Sequence, residues 1–363
     1  MDKKINIKID RGTFPNVKIR NEFMKLEKIK TINIDGLLLD TAISTRSPII
    51  TGFNLSDYWA WLRYGESFDV SSELKLKNEW KHVDPHQKTI LSDELGVGST
   101  THILKKHLGF KSFVDTQYMM NVVMPNKFNL VKKSKVGPSK APDYIGRDKL
   151  NNLVALECKG TQNTISALNK SMDKGIVQKN NLAAINKKTL KLGLVGGLFI
   201  PQNNSKEKAI IIYKDPEWDE FESMIESISK DMIVASIIQG SFAKQLALAG
   251  LKKASLEVAT NDLEKPALLS KGAINEIVSL KNKEIVYNPG VMGASIHSRI
   301  FSAQINMEKI GMICNGKLSV DNFIQLDELS HDDAYQYIQS DSATSVVTPE
   351  GFTFEITRLP IPE

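Results

Sequence analysis

The chain has 363 residues, with 47 Lys and Arg against 42 Asp and Glu, so its formal net charge is +5. Its 41% hydrophobic and 25% charged residues fit an ordinary soluble protein, and the length predicts two or three domains or subdomains. No run of apolar residues approaches the length of about 18 that spans a membrane, which excludes a membrane-spanning helix.

Two features bear on the cellular compartment. The two cysteines, Cys158 and Cys314, have neither a metal-ligand spacing nor that of a disulfide framework, which is typical of a reducing compartment. The residues from Ile5 to Lys8 alternate between apolar and polar instead of forming the apolar block of a signal peptide. We therefore expect a cytoplasmic protein.

Residues 1–88 are predicted to form an N-terminal accessory region. Alternating apolar and polar residues predict short strands near Ile5–Asp10 and Lys30–Ile34. An aromatic cluster, Tyr58-Trp59-Ala60-Trp61, follows, with Tyr64 nearby. Aromatic rings can stack on nucleic-acid bases, but packing against the neighbouring core is the favoured interpretation.

The next region, residues 89–216, predicts helices and strands in alternation. A helix is predicted to open near Leu91 and to stop at Gly109, because the apolar residues between them recur with helical spacing. The further predicted elements are strands at 112–114, 118–124 and 153–159, a helix at 164–188, and strands at 192–200 and 209–213.

Charged residues stand at the end of one of these apolar strands. Leu153 to Leu156 leads directly into Glu157, and strand alternation places Glu157 and Lys159 on one face with Cys158 on the other. Asp143 follows Pro142 in a turn-like run, one strand earlier. A divalent metal and a phosphate would account for these charges. The alternatives are that Asp143 begins a turn and that Glu157 and Lys159 form a solvated face or an ion pair.

These residues resemble the motif of the PD-(D/E)xK nuclease superfamily. Pro142-Asp143 matches its first element and Glu157-Cys158-Lys159 its second. The resemblance covers roughly residues 89–216, and the order of helix, acid-bearing strands, helix and strands agrees with it. It implies an α/β protein with a restriction-endonuclease-like α/β/α core around a mixed sheet, flanked by N-terminal and C-terminal α+β accessory regions.

The resemblance also implies a set of site residues. Asp143 and Glu157 would bind Mg²⁺, for which Mn²⁺ can substitute, and the backbone carbonyl of Cys158 would be a further ligand. Lys159 would orient the attacking water or stabilise the developing negative charge. Glu94 matches the extra acid that some relatives carry on the first helix, although an acid in the first turn also favours the helix dipole.

Positive charge is concentrated around the motif. Residues 127–191 contain 14 Lys and Arg against 4 Asp and Glu, a distribution that suits the phosphate backbone of a nucleic acid. The alternative is a solvated lysine-rich face. The residues predicted to contact nucleic acid are Lys132, Lys133, Lys135, Lys140, Gln178 and Lys179.

Residues 217–363 are predicted to form a C-terminal accessory domain, helical at first and then α+β. The apolar spacing over Trp218–Ala254 predicts one long or two shorter helices. Such helices could support a homodimer or bind a partner subunit, but an intramolecular core is the favoured interpretation. The acidic stretch Asp327–Asp333 is interpreted as a solvated surface in preference to a regulatory patch.

The sequence therefore predicts a metal-dependent endonuclease that hydrolyses DNA, of the restriction or antiviral-defence kind. RNA remains open as the substrate. The alternative function is a non-cleaving nucleic-acid-binding or assembly subunit with a nuclease-like fold. The complete set of Asp143, Glu157 and Lys159 favours the enzyme, since a purely structural descendant need not retain all three.

Overall fold

The computed structural model describes residues 2–49, 64–65, 67–125, 141–180, 190–216, 228–280, 299–329 and 335–358. Several predicted features lie outside them, wholly or in part: the lysines Lys132, Lys133, Lys135 and Lys140, the aromatic cluster at 58–61, residues 181–188 of the helix predicted at 164–188, residues 218–227 of the predicted C-terminal helices, and residues 330–333 of the acidic stretch. Over the described residues, no helix is both long enough and apolar enough to cross a membrane.

Twelve strands are described. In chain order they are β1 (Asp2–Lys4), β2 (Asn6–Ile9), β3 (Thr31–Asn33), β4 (Phe110–Asp115), β5 (Tyr144–Asp148), β6 (Leu153–Thr161), β7 (Leu190–Phe199), β8 (Ile210–Lys214), β9 (Arg299–Ile305), β10 (Gln336–Gln339), β11 (Ala343–Val347) and β12 (Phe352–Arg358).

The longer helices lie between these strands in the chain, singly or in groups. They are α1 (Val17–Met24), α2 (Ile34–Thr45), α3 (Pro85–Leu108), α4 (Ile165–Lys179), α5 (Lys230–Leu248), α6 (Lys252–Ala259), α7 (Lys271–Leu280), α8 (Met307–Asn315) and α9 (Val320–Glu328).

A six-stranded mixed sheet carries the predicted motif. Its strand order is β2-β8-β7-β6-β5-β4, in which β2–β8 and β6–β7 are parallel and the other neighbours are antiparallel. The prediction of an α/β protein with a mixed sheet is confirmed. Because β2 forms one edge, the sheet extends beyond the predicted boundary at residue 89.

Helices cover both faces of this sheet. At Gly196 of β7, an added Cβ would meet Thr100 of α3, whereas at the next residue, Gly197, it would meet Leu168 and Met172 of α4. Adjacent strand residues point to opposite faces, so α3 and α4 lie on opposite sides. The face under α4 has its own small apolar cluster, and the face under α3 belongs to the main core.

Helix α3 begins earlier than predicted and ends where predicted. The Asp84 side chain accepts a hydrogen bond from the backbone N–H of His86, and Pro85 occupies the first turn, so the helix starts before Leu91. Gly109 ends it in the left-handed conformation, with φ of 70°.

The strand predicted at 118–124 is wrong. Thr116–Tyr118 forms a helical turn that continues as a π-helical turn over Met119–Val123. Met119 and Val123 are four residues apart and both buried, which is the spacing of one helical face. A short apolar run does not by itself separate a strand from a buried helical turn.

The C-terminal part of the chain packs at the end of the six-stranded sheet that β4 and β5 form. Helix α5 is buried from Ile233 to Leu248 and contacts both strands. This confirms the interpretation of the apolar helices as intramolecular core. Strands β10-β11-β12-β9 form a separate antiparallel sheet.

Candidate active site

Hydrogen bonds from backbone N–H groups to carboxylates join Asp143 to β6. Asp143 directly precedes β5, whose first residue, Tyr144, pairs with Leu156 of β6. The Asp143 carboxylate accepts a hydrogen bond of 2.8 Å from the Cys158 N–H, and the Glu157 carboxylate accepts one of 3.1 Å from the Asp143 N–H. The Asp143 carboxylate is therefore held by the backbone of β6, and the Glu157 carboxylate by the backbone of Asp143.

The predicted alternation along β6 is confirmed. Helix α4 crosses over Glu157 and Lys159, because a Cβ at Gly175 would lie 3.0 Å from Glu157 Cγ and 3.4 Å from Lys159 Cε. Cys158 is buried and faces α3, where its thiol interacts with the Thr100 hydroxyl. Gly175 leaves the space that these two long side chains occupy.

Lys159 is the cation of the site. Its ammonium forms an ion pair with Glu157 Oε1 and donates a 3.1 Å hydrogen bond to Gln178 Oε1. The lysine side chain is 19% exposed and Glu157 is fully buried, so the ammonium lies at the boundary between the interior and solvent. Gln178, predicted to contact nucleic acid, lies against Lys159.

Helix α3 approaches the site so closely that two glycines are needed at the contact. A Cβ at Gly96 would lie 2.6 Å from the Lys159 carbonyl oxygen, and one at Gly160 would lie 1.7 Å from the Ser92 carbonyl oxygen. Both positions would clash with backbone, so this register of α3 against β6 depends on glycine. The contact brings α3 beside Asp143 and Glu157.

Asp93 is a site residue that the sequence prediction missed. It interacts with the backbone N–H of Gly160 and with the charges of Lys159 and Asp143. Glu94, the residue predicted from the resemblance, is half-buried and interacts with Tyr144. Gly96 lies three residues after Asp93 and hence on the same side of α3. A glycine at this position is the sequence signal that this face of the helix approaches β6.

Burial raises the pKa values of both acids. Burial and the nearby Asp143 charge raise the pKa of Glu157 to about 8. Burial also raises the pKa of Asp143, and the charge of Asp115 raises it further. Burial alone would lower the pKa of Lys159, but the Glu157 carboxylate outweighs it, so the ammonium stays charged.

The carboxylate pair fits a divalent cation such as Mg²⁺. Two buried acids whose negative charges oppose each other are stabilised by a cation, and Mg²⁺ prefers oxygen ligands. Mg²⁺ is typically held by one or two carboxylates, with waters and substrate phosphates completing its shell. In the described part of the chain, no group of three or more His, Cys, Asp or Glu converges as a metal site. The acids that the structure brings together are Asp143 and Glu157; ligation by the Cys158 carbonyl and by Glu94 stays a prediction from the resemblance.

Lys179, predicted to bind nucleic acid, is placed differently by the structure. Its side chain is fully buried, its ammonium donates a 2.6 Å hydrogen bond to the Pro216 carbonyl, and it lies beside Asp215. In this position it is not presented to a ligand. Met172, Gly175 and Lys179 follow helical spacing and share the buried face of α4, whereas Lys170 and Lys174 are exposed.

The raised pKa of Glu157 predicts how stability depends on pH without metal. The folded state binds this proton more tightly than the unfolded state, whose glutamate pKa is about 4.3. The contribution of Glu157 is therefore complete below that value and is lost as the pH rises through about 8. With a chelator present, we expect the melting temperature to fall between about pH 5 and about pH 8 and to level off above that. Glu157→Gln should flatten this slope; an equal slope in that variant would contradict the assignment.

Comparisons with known proteins add no identification. No protein-family model, no curated protein and no solved structure matches this chain significantly.

Proposed function

We propose that this protein is a metal-dependent endonuclease that hydrolyses DNA phosphodiester bonds through a PD-(D/E)xK site on a restriction-endonuclease-like core. The observation that carries the proposal is the hydrogen-bonded cluster of Asp143, Glu157 and Lys159 at the ends of two adjacent strands. The mixed sheet between α3 and α4 supports the same assignment.

The cluster supplies the charges that phosphodiester hydrolysis requires. A bound Mg²⁺ would polarise the phosphoryl oxygen and lower the pKa of a water molecule. Asp143 and Glu157 would hold that ion, with their carboxylates oriented by the Cys158 and Asp143 N–H groups. Lys159 would place its ammonium against the negative charge that develops on the phosphate.

Gln178 has a positioning role in this proposal. Its amide oxygen accepts a hydrogen bond from Lys159 Nζ, so it limits the directions in which the ammonium can point. Glu157 restrains the same ammonium from the strand side. A lysine held between two acceptors loses less conformational entropy when it meets the substrate.

The deciding experiment is a cleavage assay on plasmid, linear duplex and single-stranded DNA, with RNA alongside. Each substrate is incubated with Mg²⁺, Mn²⁺ or a chelator, using wild-type protein and Asp143→Asn. We expect metal-dependent cleavage of DNA that falls by at least about 10²-fold in the variant, as for removal of one stabilising group in other active sites.

The other outcomes separate the remaining functions. Cleavage of RNA alone would change the substrate class but keep the site. DNA binding without cleavage under any condition, equal in wild type and Asp143→Asn, would support a non-cleaving binding or assembly subunit. Metal-independent cleavage that survives in the variant would reject the site itself.

A further inference from the structure

A fully buried lysine lies on the far side of the candidate site from α4. Lys244, on α5, has no exposed surface, and its ammonium donates a 2.8 Å hydrogen bond to the Ser44 carbonyl. The same ammonium lies 2.6 Å from Asp115 Oδ2 and 5.2 Å from the centre of the Tyr144 ring. A buried ammonium is costly unless it is paired, and Asp115 supplies the charge.

Asp115 is a direct neighbour of the site. It is the last residue of β4 and pairs in register with Tyr144, the residue after Asp143. The next backbone N–H, that of Thr116, donates a 3.0 Å hydrogen bond to the Asp143 carbonyl. The Asp115 side chain is 30% exposed, so it also remains in contact with solvent. Its charge is close enough to act on Asp143.

Acidic side chains outnumber basic ones at the site. Asp93, Asp115, Asp143 and Glu157 are acids that interact at or beside it, and Lys159 is the cation among them. Lys244 adds a second positive charge, supplied from the C-terminal part of the chain. An apolar residue there would fill the space but leave the Asp115 charge uncompensated.

We propose that Lys244 is a positioning residue of the candidate active site, which acts through Asp115 to set the negative charge that a bound divalent cation meets at Asp143 and Glu157. This inference rests on the proposed metal-dependent function. Under this proposal, the affinity for the cation depends on Lys244 of α5 as well as on Asp143 and Glu157. Substitutions of Lys244 and of Asp115 have opposite effects on that affinity. Removing the lysine leaves more net negative charge, and removing the aspartate leaves less.

The test measures Mn²⁺ binding to the metal-free, full-length protein by calorimetry, without DNA. We expect Lys244→Met to bind Mn²⁺ about tenfold more tightly and Asp115→Asn about tenfold more weakly, since a unit charge a few ångströms beyond the carboxylates acts through a partly screened medium. The double variant should return close to the wild-type affinity. Lys244→Arg, which keeps the charge, should also remain near wild type.

Lys105 offers a matched control. It is likewise buried, pairs with Asp40 at 2.9 Å, and lies 4.3 Å from the centre of the Tyr335 ring. Lys105→Met should therefore lower the melting temperature and leave Mn²⁺ affinity within about twofold of wild type, because its charge is compensated by Asp40 and reaches the site only through its weaker interaction with Lys244.

The proposal predicts changes in Mn²⁺ affinity of opposite sign for Lys244→Met and Asp115→Asn, which distinguishes it from a loss of folding. A merely structural role would weaken Mn²⁺ binding in both single variants, and that result would overturn the inference, as would unchanged affinity in both. If Lys244→Met does not fold, the double variant decides: affinity close to wild type supports the inference, and affinity as weak as that of Asp115→Asn overturns it. Wild-type binding that Asp143→Asn abolishes supports the metal site on its own. A wild type that binds no Mn²⁺ but cleaves DNA overturns this inference alone, and one that neither binds Mn²⁺ nor cleaves rejects the proposed function as well.

Discussion

Lys159→Met is expected to lower the rate constant for DNA cleavage by about 10²–10³-fold, the range for removing one group that stabilises developing charge. The ammonium already lies between Glu157 and Gln178, so the substrate would meet a pre-positioned charge. Methionine keeps most of the side-chain volume against Gly175 and removes the charge. The loss should therefore appear in kcat more than in DNA affinity.

Single-turnover cleavage with saturating enzyme measures this effect, and fluorescence anisotropy on the same DNA measures binding. Lys174→Met is the matched control, since Lys174 is an exposed lysine on α4, the helix that crosses over Lys159, one residue before Gly175. It should change the cleavage rate by less than about threefold, as expected for a solvated surface charge. Equal losses in the two variants would assign the effect to general phosphate attraction and not to a catalytic ammonium.

Local patterns predicted the residues that strand periodicity controls. Glu157 and Lys159 share a face because side chains two apart on a strand point the same way, and the structure has them under α4 as expected. Gly109 ends its helix because glycine adopts positive φ at little cost. These predictions require only the nearest neighbours in the chain.

The errors at the candidate site depend on packing between distant segments. Lys179 was assigned to a nucleic-acid surface from its charge, yet its ammonium is held by the carbonyl of Pro216, which follows β8. Asp93 reaches the site because Gly96 and Gly160 allow α3 to approach β6, a contact between segments far apart in sequence. Charge counts do not indicate which side of a helix meets the core.

The acidic stretch near the C-terminus illustrates the same limit. Asp327 was interpreted as part of a solvated surface, and that interpretation is wrong for this residue. It is 6% exposed, and its carboxylate accepts two hydrogen bonds of 2.8 Å from the fully buried guanidinium of Arg147. Lys111 binds the same carboxylate at 3.0 Å. Arg147 lies on β5, so the C-terminal part is fixed to the strand that follows Asp143.

Asp327→Ala is expected to lower the free energy of unfolding by about 3–5 kcal/mol, the range for breaking a buried ion pair by removing one partner. Arg147 and Lys111 would be left as buried cations without this carboxylate. Burial would raise the pKa of Asp327, but the charges of Arg147 and Lys111 lower it below its usual value. The stabilisation is therefore present above the unfolded pKa of about 3.9 and is lost as the pH falls through the lower folded value.

Urea unfolding at pH 7, followed by circular dichroism, measures this difference. The adjacent Glu328 is exposed and occupies the same last turn of α9, so Glu328→Ala should change the free energy of unfolding by less than about 0.5 kcal/mol. On acidification below pH 4, wild type should lose stability faster than Asp327→Ala, which lacks the titrating group. Parallel acid curves for the two proteins, or equal stability at pH 7, would show that the Arg147 contact does not anchor the C-terminal part to β5.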